Sequence, residues 1–237
     1  MTHKPVTMVQ TDYISVVYEQ SRTPKTDYPR QLVAYLMDRF GLKAGDHLLE
    51  VGCGRGDFLL TFHDMGLRCA GVDVEGRSNE LLPGLDVRQC DVSKELLPFG
   101  DDTFDVVYHK SLIEHLYSPE NLMEETYRVL KPGGVTIILT PDWVSQMKVF
   151  YEDFTHCRPY DVTSLRDLLT IKGFSSVHTE LFYQLPVVWR FPSLKILCKV
   201  PQLFVSTPKA RKLTQTTGIK FFRWSVELMV LGYGKKQ

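Results

Sequence analysis

Three histidines of this chain could take part in proton transfer. His109 and His115 follow one predicted strand, and His156 stands in a polar loop after the next one, close to Asp153. An imidazole titrates near neutral pH, so it can remove a proton from an attacking hydroxyl group. We predict His156 as the general base because its loop follows a strand end. His115 is a second catalytic candidate, although a histidine at such a position is more often a packing or hydrogen-bonding residue than a base.

A glycine-rich turn between a predicted strand and a predicted helix indicates a nucleotide cofactor. The strand ends near Glu50, and Gly52, Gly54 and Gly56 follow at intervals of two. Glycines leave no Cβ atom between a ligand and the backbone amides at the start of the helix. Asp57 stands where the dinucleotide fingerprint has its third glycine, and its carboxylate would repel a pyrophosphate. The charges therefore favour S-adenosylmethionine, which carries an ammonium and a sulfonium group and no phosphate.

The second predicted strand, residues 69–73, ends in another carboxylate, Asp73. In sheets that bind nucleotide cofactors, a carboxylate at this place accepts hydrogen bonds from ribose hydroxyls. This position suits a dinucleotide and S-adenosylmethionine alike, so Asp73 supports a nucleoside site without choosing between the two.

Six motifs resemble those of class I S-adenosylmethionine-dependent methyltransferases, of the group called type 11 or type 23 methyltransferase domains. In chain order they are EVGCGRG (50–56), GVD (71–73), QCDV (89–92), FDVVY (104–108), IEHL (113–116) and LKPGG (130–134). The likeness covers about residues 30–184, and the order of the six motifs is much more specific than any one of them.

The resemblance implies how the chain would bind the cofactor. Glu50 would hold the methionine amine, Asp73 the ribose hydroxyls, and Asp91 with the Val92 amide the adenine edge. Asp91 could instead be only a turn or cap residue. His109 would lie at the methionine end and contact it through its backbone. The full set of implied cofactor contacts is Glu50, Gly52, Cys53, Gly54, Gly56, Asp73, Val74, Asp91, Val92 and His109.

Predicted strands alternate with predicted helices, which is typical of a doubly wound α/β fold. The resemblance extends this to a mostly parallel, seven-stranded, Rossmann-like sheet, with the ligand at the carboxyl ends of the strands. Strand seven is predicted at residues 225–231, which leaves a helical lid inserted at about residues 184–223. We divide the chain into an N-terminal arm, residues 1–25, and a methyltransferase domain, residues 26–237.

The insertion and the tail are strongly basic, although the whole chain has no net charge. From residue 186 onward there are ten Lys and Arg residues and one acidic residue, Glu227, a net charge of +9. Apolar residues between Leu194 and Phe204 form a stripe that Pro201 interrupts. The segment is predicted either as a lid that meets an anionic or amphiphilic partner, such as a lipid-linked glycan or a membrane surface, or as helices packed on the acidic main domain.

Methyl transfer to a hydroxyl group of a saccharide or related small polar metabolite is the predicted function. Two alternatives stay open: methylation of a quinone or lipid precursor at a membrane surface, and a non-catalytic scaffold that binds S-adenosylmethionine. Nucleic acid is disfavoured, because residues 109–112 read HKSL where enzymes that methylate base amino groups have Asn/Asp-Pro-Pro-aromatic. A metal is not predicted, because the paired Asp and Asn ligands of cation-dependent O-methyltransferases are missing there.

Composition is that of a globular cytoplasmic protein. The hydrophobic content of 43% and the charged content of 24% are ordinary. The five cysteines include no CxxC pair, and the chain opens with polar residues instead of a signal-peptide pattern. We therefore predict a reduced, cytoplasmic protein, and peripheral membrane contact through its basic C-terminal region stays open as an alternative. The sequence carries no signal for an oligomeric state.

Overall fold

The computed structural model describes residues 26–237, and its centre is one seven-stranded sheet. The predicted arm, residues 1–25, lies outside the described residues. The strands are β1 (His47–Val51), β2 (Arg68–Asp73), β3 (Asp86–Gln89), β4 (Phe104–Lys110), β5 (Leu130–Pro141), β6 (Ser175–Phe182) and β7 (Met229–Lys235). The α-helices are α1 (Tyr28–Phe40), α2 (Asp57–Asp64), α3 (Arg77–Leu81), α4 (Glu120–Val129), α5 (Trp143–Gln146), α6 (Val162–Ile171), α7 (Pro186–Arg190), α8 (Lys195–Phe204), α9 (Thr207–Thr217) and α10 (Lys220–Val226). Short 3₁₀ helices lie at Ile113–His115, Phe150–Glu152 and Pro192–Leu194.

The strand order of the sheet is β3-β2-β1-β4-β5-β7-β6. The first five strands in this order pair in parallel, and β7 pairs antiparallel with both β5 and β6. The order of winding reverses between β1 and β4, which are neighbours in the sheet. The predicted mostly parallel, doubly wound sheet is confirmed. Folds of this kind bind ligands at the carboxyl ends of the two strands where the winding reverses.

Apolar side chains pack on both faces of the sheet. In β1, Leu49 and Val51 join one buried cluster, and Leu48 joins the cluster on the other face. A strand covered on both faces needs such a continuous apolar run. Glu50 breaks the run with a buried carboxylate, and a buried charge needs a partner.

Between β6 and β7 the chain forms the helices α7 to α10 instead of a tight hairpin. A small apolar cluster joins α7, α8 and α10, and its members are Leu185, Val188, Cys198, Tyr183, Leu194, Phe221 and Trp224. The helix α8 continues through the buried Pro201, although the sequence suggested an interruption there. The predicted helical insertion before the last strand is therefore present as secondary structure.

The predicted start of strand seven is wrong. Residues 225 and 226 end α10, and β7 begins at Met229. Phe221 and Trp224 are three residues apart, so a helix directs both of them toward the same apolar cluster. A strand would point them to opposite faces, and one of the two would lose its packing partners.

Candidate active site

A cleft of about 500 Å³ opens at the carboxyl ends of β1 to β4. Its wall comes from β2 and from the segments that follow the four strands: Gly52, Asp73, Val74, Cys90, Asp91, Val92, Ser93, Leu112, His115, Leu116, Tyr117 and Ser118. Five residues predicted to bind the cofactor are in this wall, together with the catalytic candidate His115. The sheet therefore brings together positions that are up to about 60 residues apart in the sequence.

The glycine-rich turn has the backbone conformation that favours glycine. Gly52, Gly54 and Gly56 have φ angles of +74°, +51° and +81°. A Cβ atom on Gly56 would lie 2.2 Å from Cδ2 of the buried Leu82. Gly56 is thus needed both for its positive φ and for the close approach of the turn to the segment after α3.

The turn holds Asp73 in place. The amide of Gly54 donates to Oδ2 of Asp73 at 2.7 Å, and the amide of Glu75 donates to Oδ1 at 2.9 Å. A carboxylate oxygen can accept more than one hydrogen bond. The fixed Asp73 side chain can therefore accept bonds from a pair of ribose hydroxyls as well.

The buried Glu50 fits a cationic group. Its Oε2 has no hydrogen-bond partner among residues 26–237. Burial and, next, the carboxylates of Asp73 and Asp57 raise the pKa of Glu50 well above its usual range. An ammonium group beside this carboxylate would favour its charged form. The unpartnered oxygen fits the methionine amine of S-adenosylmethionine. Glu50 stands two residues before the first glycine of the turn.

Asp91 lines the cleft and also caps the turn after β3. Its Oδ1 accepts hydrogen bonds from the amide and the hydroxyl of Ser93, and its Oδ2 lies 2.9 Å from Nζ of Lys94. The Ser93 hydroxyl and then Lys94 lower the pKa of Asp91. The alternative role of Asp91 as a turn residue is thus present, and its contact with adenine stays a prediction.

The side chains of Cys53 and His109 are packed in the core. Cys53 belongs to a buried apolar cluster, and its burial raises the pKa of the thiol. His109 is fully enclosed, which lowers its pKa to about 3. Neither ring nitrogen of His109 has a hydrogen-bond partner within residues 26–237. Cofactor contacts at these two positions would therefore involve the backbone, and they stay predictions.

The rings of His115 and His156 contact one another, with their centroids 4.7 Å apart. Nδ1 of His156 lies 2.7 Å from the carbonyl oxygen of Phe150, which can only accept, so this nitrogen carries the proton. Thr155 donates its hydroxyl to Asp153 at 2.5 Å, so it accepts from Nδ1 of His115 at 2.8 Å. In their neutral forms both rings therefore have the lone pair on Nε2, the atom that a general base would use.

Glu114 is buried beside the two histidines. Its Oε2 accepts a hydrogen bond from the Thr140 hydroxyl at 2.9 Å, and its Oε1 has no such partner among the described residues. Burial raises the pKa of Glu114 to about 7. Possible metal-ligating atoms of Glu114, His115 and His156 lie within 4.8 Å of one another, the only such trio in residues 26–237. The sequence predicts no metal, and that expectation stays a prediction.

Residues 49–138 match the family described as a methyltransferase domain. A sterol 4-C-methyltransferase of Caenorhabditis elegans is 28% identical over 139 residues, covering 54% of this chain and 42% of that protein. An uncharacterized methyltransferase of Mycobacterium leprae is 34% identical over 119 residues, covering 47% of this chain and 43% of that protein. The chain thus spans about half the length of the curated relatives it matches.

Solved structures share the fold over nearly the whole chain. A methyltransferase dependent on S-adenosylmethionine from Archaeoglobus fulgidus aligns with a TM-score of 0.62 at 23% identity, covering 95% of this chain and 100% of that one. Residues 49–138 are therefore a methyltransferase domain, and the chain has the fold of the class I S-adenosylmethionine-dependent methyltransferases. Phosphoethanolamine N-methyltransferase 2 of Haemonchus contortus, in complex with phosphomonomethylethanolamine and S-adenosylhomocysteine, aligns with a TM-score of 0.65 at 17% identity, covering 95% of this chain and 59% of that one. At these identities the solved structures show the fold alone.

The sequence pattern indicates no role for three polar residues near the cleft: Lys110, Glu114 and Thr155. Lys110 ends β4, and its Nζ lies 5.6 Å from the ring centroid of Phe58. Burial lowers the pKa of Lys110, and the nearby carboxylate of Glu114 opposes that shift. Glu114 directly precedes the catalytic candidate His115 in the IEHL motif, and this position is the sequence signal that could have identified it. Nothing in the sequence indicated that Thr155 would contact a histidine 40 residues away.

Proposed function

We propose that this class I methyltransferase transfers the methyl group of S-adenosylmethionine to a hydroxyl oxygen of a saccharide or related small polar metabolite. The observation that carries the proposal is the contact of His156 with His115, which lines the cofactor cleft. A hydroxyl group is a weak nucleophile until its proton is removed, and each of these rings can accept a proton. A pair of imidazoles beside the cleft therefore supports an acceptor with a hydroxyl group.

Residues of the cleft would bind and orient the reactants. Glu50 would pair with the methionine ammonium, Asp73 would accept hydrogen bonds from the ribose hydroxyls, and Asp91 and Val92 would border the adenine. Bound S-adenosylmethionine supplies a methyl group on a positively charged sulfur, which keeps the electron pair of the broken C–S bond. Transfer removes that positive charge, so walls that exclude water and align the acceptor oxygen favour the reaction.

A histidine would take the hydroxyl proton while the new O–C bond forms. His156 is the base predicted from its loop, and its Nε2 lies 4.0 Å from Oδ2 of Asp153. His115 is oriented by Thr155, which is itself bound to Asp153. A base oriented by a third group is the common arrangement in nucleophile activation. We assign proton removal to this histidine pair, and separate variants distinguish the two rings.

A lipid or quinone precursor is the second candidate acceptor. The solvent-facing side of α8 favours it, because Leu203 and Phe204 are strongly exposed there in a basic segment. Sterol and phosphoethanolamine methyltransferases are among the similar proteins, so acceptors differ widely between proteins of this fold. Within residues 26–237, every helix is too short or too polar to cross a bilayer. Such an acceptor would be reached at a membrane surface. A non-catalytic scaffold would bind the cofactor without turnover.

Calorimetric titration tests the cofactor. S-adenosylmethionine and S-adenosylhomocysteine are expected to bind and NAD is not, because Asp57 stands where the dinucleotide fingerprint has its third glycine. Asp73→Ala should weaken the binding of the first two ligands. Binding of NAD alone would contradict the proposal.

An acceptor screen tests the transfer itself. Saccharides, sugar nucleotides, quinols and lipid precursors are incubated with S-adenosylmethionine, and methylated products are detected by mass spectrometry. Methylation of a saccharide hydroxyl that fails in His115→Ala or His156→Ala would support the proposal. Methylation confined to quinols or lipids would select the second candidate, and tight cofactor binding without turnover would select the scaffold.

A further inference from the structure

The solvent-facing side of α8 is apolar. Ile196, Leu203 and Phe204 are 68%, 76% and 79% exposed, and Leu197 and Val200 are each more than half exposed. We call these five side chains the α8 face. Exposed apolar groups that are contiguous on one helix mark a contact site more often than scattered ones do.

Helix geometry places the α8 face away from the packing side of α8. Cys198 and Pro201 are the buried residues of this helix, and they share one side of it. At about 100° per residue, the α8 face spans an arc of about 120° that does not overlap the packing side. Lys195 and Lys199 are one turn apart and lie along one edge of that arc. An apolar arc bordered by lysines is the pattern of helices that lie in a membrane interface.

The segment that contains α8 is positively charged. Residues 186–226 contain eight Lys and Arg residues and no acidic residue. Two of these cations, Arg211 and Arg223, bind the carboxylate of the buried Glu227. The other six are exposed to solvent: Arg190, Lys195, Lys199, Lys209, Lys212 and Lys220. Charge complementarity therefore favours an anionic partner for this segment.

We propose that the α8 face docks on the surface of a membrane that contains anionic phospholipids. Leu203 and Phe204 enter the boundary between headgroups and acyl chains, and Lys195 and Lys199 contact phosphate groups from the edge of the helix. A second copy of this chain is a poorer occupant, because a symmetric contact would bring the same cations together. The helix has 10 residues, which is too few to cross a bilayer, so the contact is peripheral.

This inference does not rest on the proposed methyl transfer, because docking needs neither the cofactor nor an acceptor. It would hold the protein at a surface that contains amphiphilic molecules. Failure of the docking test would leave the acceptor screen unaffected, and failure of the acceptor screen would leave the docking test unaffected.

Co-sedimentation of the full chain with vesicles tests the docking. At low salt, vesicles of equal parts phosphatidylcholine and phosphatidylglycerol are expected to bind about 25-fold or more tightly than vesicles of phosphatidylcholine alone. Leu203→Ser combined with Phe204→Ser should weaken binding to the mixed vesicles about tenfold, since it removes the inserted apolar groups. Lys195→Gln combined with Lys199→Gln should weaken it about 25-fold at low salt, at about fivefold per charge.

Matched variants separate docking from general changes in charge or hydrophobicity. Leu96→Ser with Ile171→Ser removes apolar side chains that are 70% and 79% exposed elsewhere on the surface. Lys43→Gln with Lys235→Gln removes two exposed charges outside the insertion. Both controls should stay within about twofold of the wild type, because these side chains lie away from the docking helix.

Three results would overturn the proposal. One is equal binding to the two kinds of vesicle, and another is an equal loss of binding in the control variants. The third is a dimer in analytical ultracentrifugation that Leu203→Ser with Phe204→Ser dissociates, since the α8 face would then serve self-association. The substituted side chains are exposed, so unchanged thermal unfolding is expected for every variant and verifies that each one is folded.

Discussion

Nδ1 of His115 lies 2.8 Å from the hydroxyl oxygen of Thr155, and this contact joins the wall of the cofactor cleft to the loop before α6. The Thr155 hydroxyl in turn donates a hydrogen bond to the carboxylate of Asp153. Thr155 and Asp153 together hold the imidazole of His115 in one orientation and one tautomer, with Nε2 as its acceptor atom. The proposed general base needs this kind of orientation.

Asp153→Asn should move the pH dependence of kcat/KM to lower pH. A histidine base works only when neutral, so activity falls as the pH drops through its pKa. Burial and then His156 lower the pKa of His115 from its usual 6.5, whereas the charge of Asp153 raises it. The acid limb of the wild type is therefore expected below pH 6.5, and loss of the carboxylate should lower it further. Values of kcat/KM measured across the pH range give the acid limb of the wild type and of Asp153→Asn.

Thr155→Val tests the same network without a change of charge. It should lower kcat about tenfold, because the ring loses its orienting partner, and should leave cofactor affinity unchanged. Thr179→Val is the control, since its hydroxyl donates to the Val162 carbonyl at 2.8 Å away from the cleft. An unmoved acid limb in Asp153→Asn, together with full activity in Thr155→Val, would exclude His115 as the base.

Asp73→Asn should weaken the binding of S-adenosylmethionine by about 10- to 100-fold. Hydrogen bonds to a charged group contribute about 1.5–3 kcal/mol, and the amide has only one acceptor oxygen. Calorimetry measures the change, with Asp86→Asn as the control because Asp86 is an exposed carboxylate paired with Arg88 on the neighbouring β3. Affinity within about twofold of the wild type would remove Asp73 from the ribose site.

Gly56→Ala should destabilise the fold more than Gly84→Ala does. Both glycines have positive φ angles, +81° and +92°, so alanine costs about 1–2 kcal/mol of backbone strain at either place. A Cβ on Gly56 would also lie 2.2 Å from Leu82, whereas a Cβ on Gly84 meets no atom within 4 Å. The overlap should add about 1–3 kcal/mol to the loss in the free energy of unfolding.

Urea unfolding of the two variants and of Gly56→Ala combined with Leu82→Ala measures this overlap. Shortening Leu82 opens a cavity, but it also removes the clash, so the two substitutions should be less destabilising together than the sum of their separate effects. Equal losses for Gly56→Ala and Gly84→Ala would mean that the turn relaxes away from Leu82.

The sequence could predict where in the fold the proposed cofactor-binding residues lie, because the signals for their positions are local. Gly52, Gly54 and Gly56 stand in one turn, and Asp73 and Asp91 each lie at a strand end that alternation alone locates. A parallel sheet then gathers all its strand ends at one edge. Short-range patterns therefore fix these positions, and the order of the six motifs identifies the family.

The surroundings of the two histidines depend on contacts that no local pattern encodes. The hydrogen bond between His115 and Thr155 joins positions 40 residues apart, and Glu114 meets the Thr140 hydroxyl from 26 residues away. The start of β7 differs from the prediction for the same reason, because Phe221 and Trp224 pack with residues of α7 and α8 from a helix that the sequence pattern does not indicate. Such contacts exist only after the elements are assembled.

Removal of divalent metal ions should leave the methyltransferase activity unchanged. Oε2 of Glu114 already accepts a hydrogen bond from the Thr140 hydroxyl. Burial raises the pKa of Glu114 to about 7, so the carboxyl group is partly protonated at neutral pH. A metal ligand must be deprotonated, so this carboxyl group is a weak third ligand for His115 and His156. Activity after dialysis against EDTA and the metal content by emission spectrometry measure this. One bound ion per chain, with activity that is lost and restored with it, would contradict the prediction.

Glu227→Gln should lower the free energy of unfolding by about 2–3 kcal/mol. The Glu227 carboxylate is 2% exposed, and its oxygens lie 2.5 Å and 2.7 Å from Nε of Arg211 and Arg223. Neutralising it leaves two arginines without their buried partner, although the partial exposure of both arginines keeps the loss below that of a fully buried pair. Glu180→Gln is the matched control, since the Glu180 carboxylate pairs with Arg39 at 2.6 Å but is 28% exposed, and it should cost about 1 kcal/mol or less. Urea unfolding compares the two variants. Equal losses would mean that Glu227 contributes no more to stability than a surface ion pair.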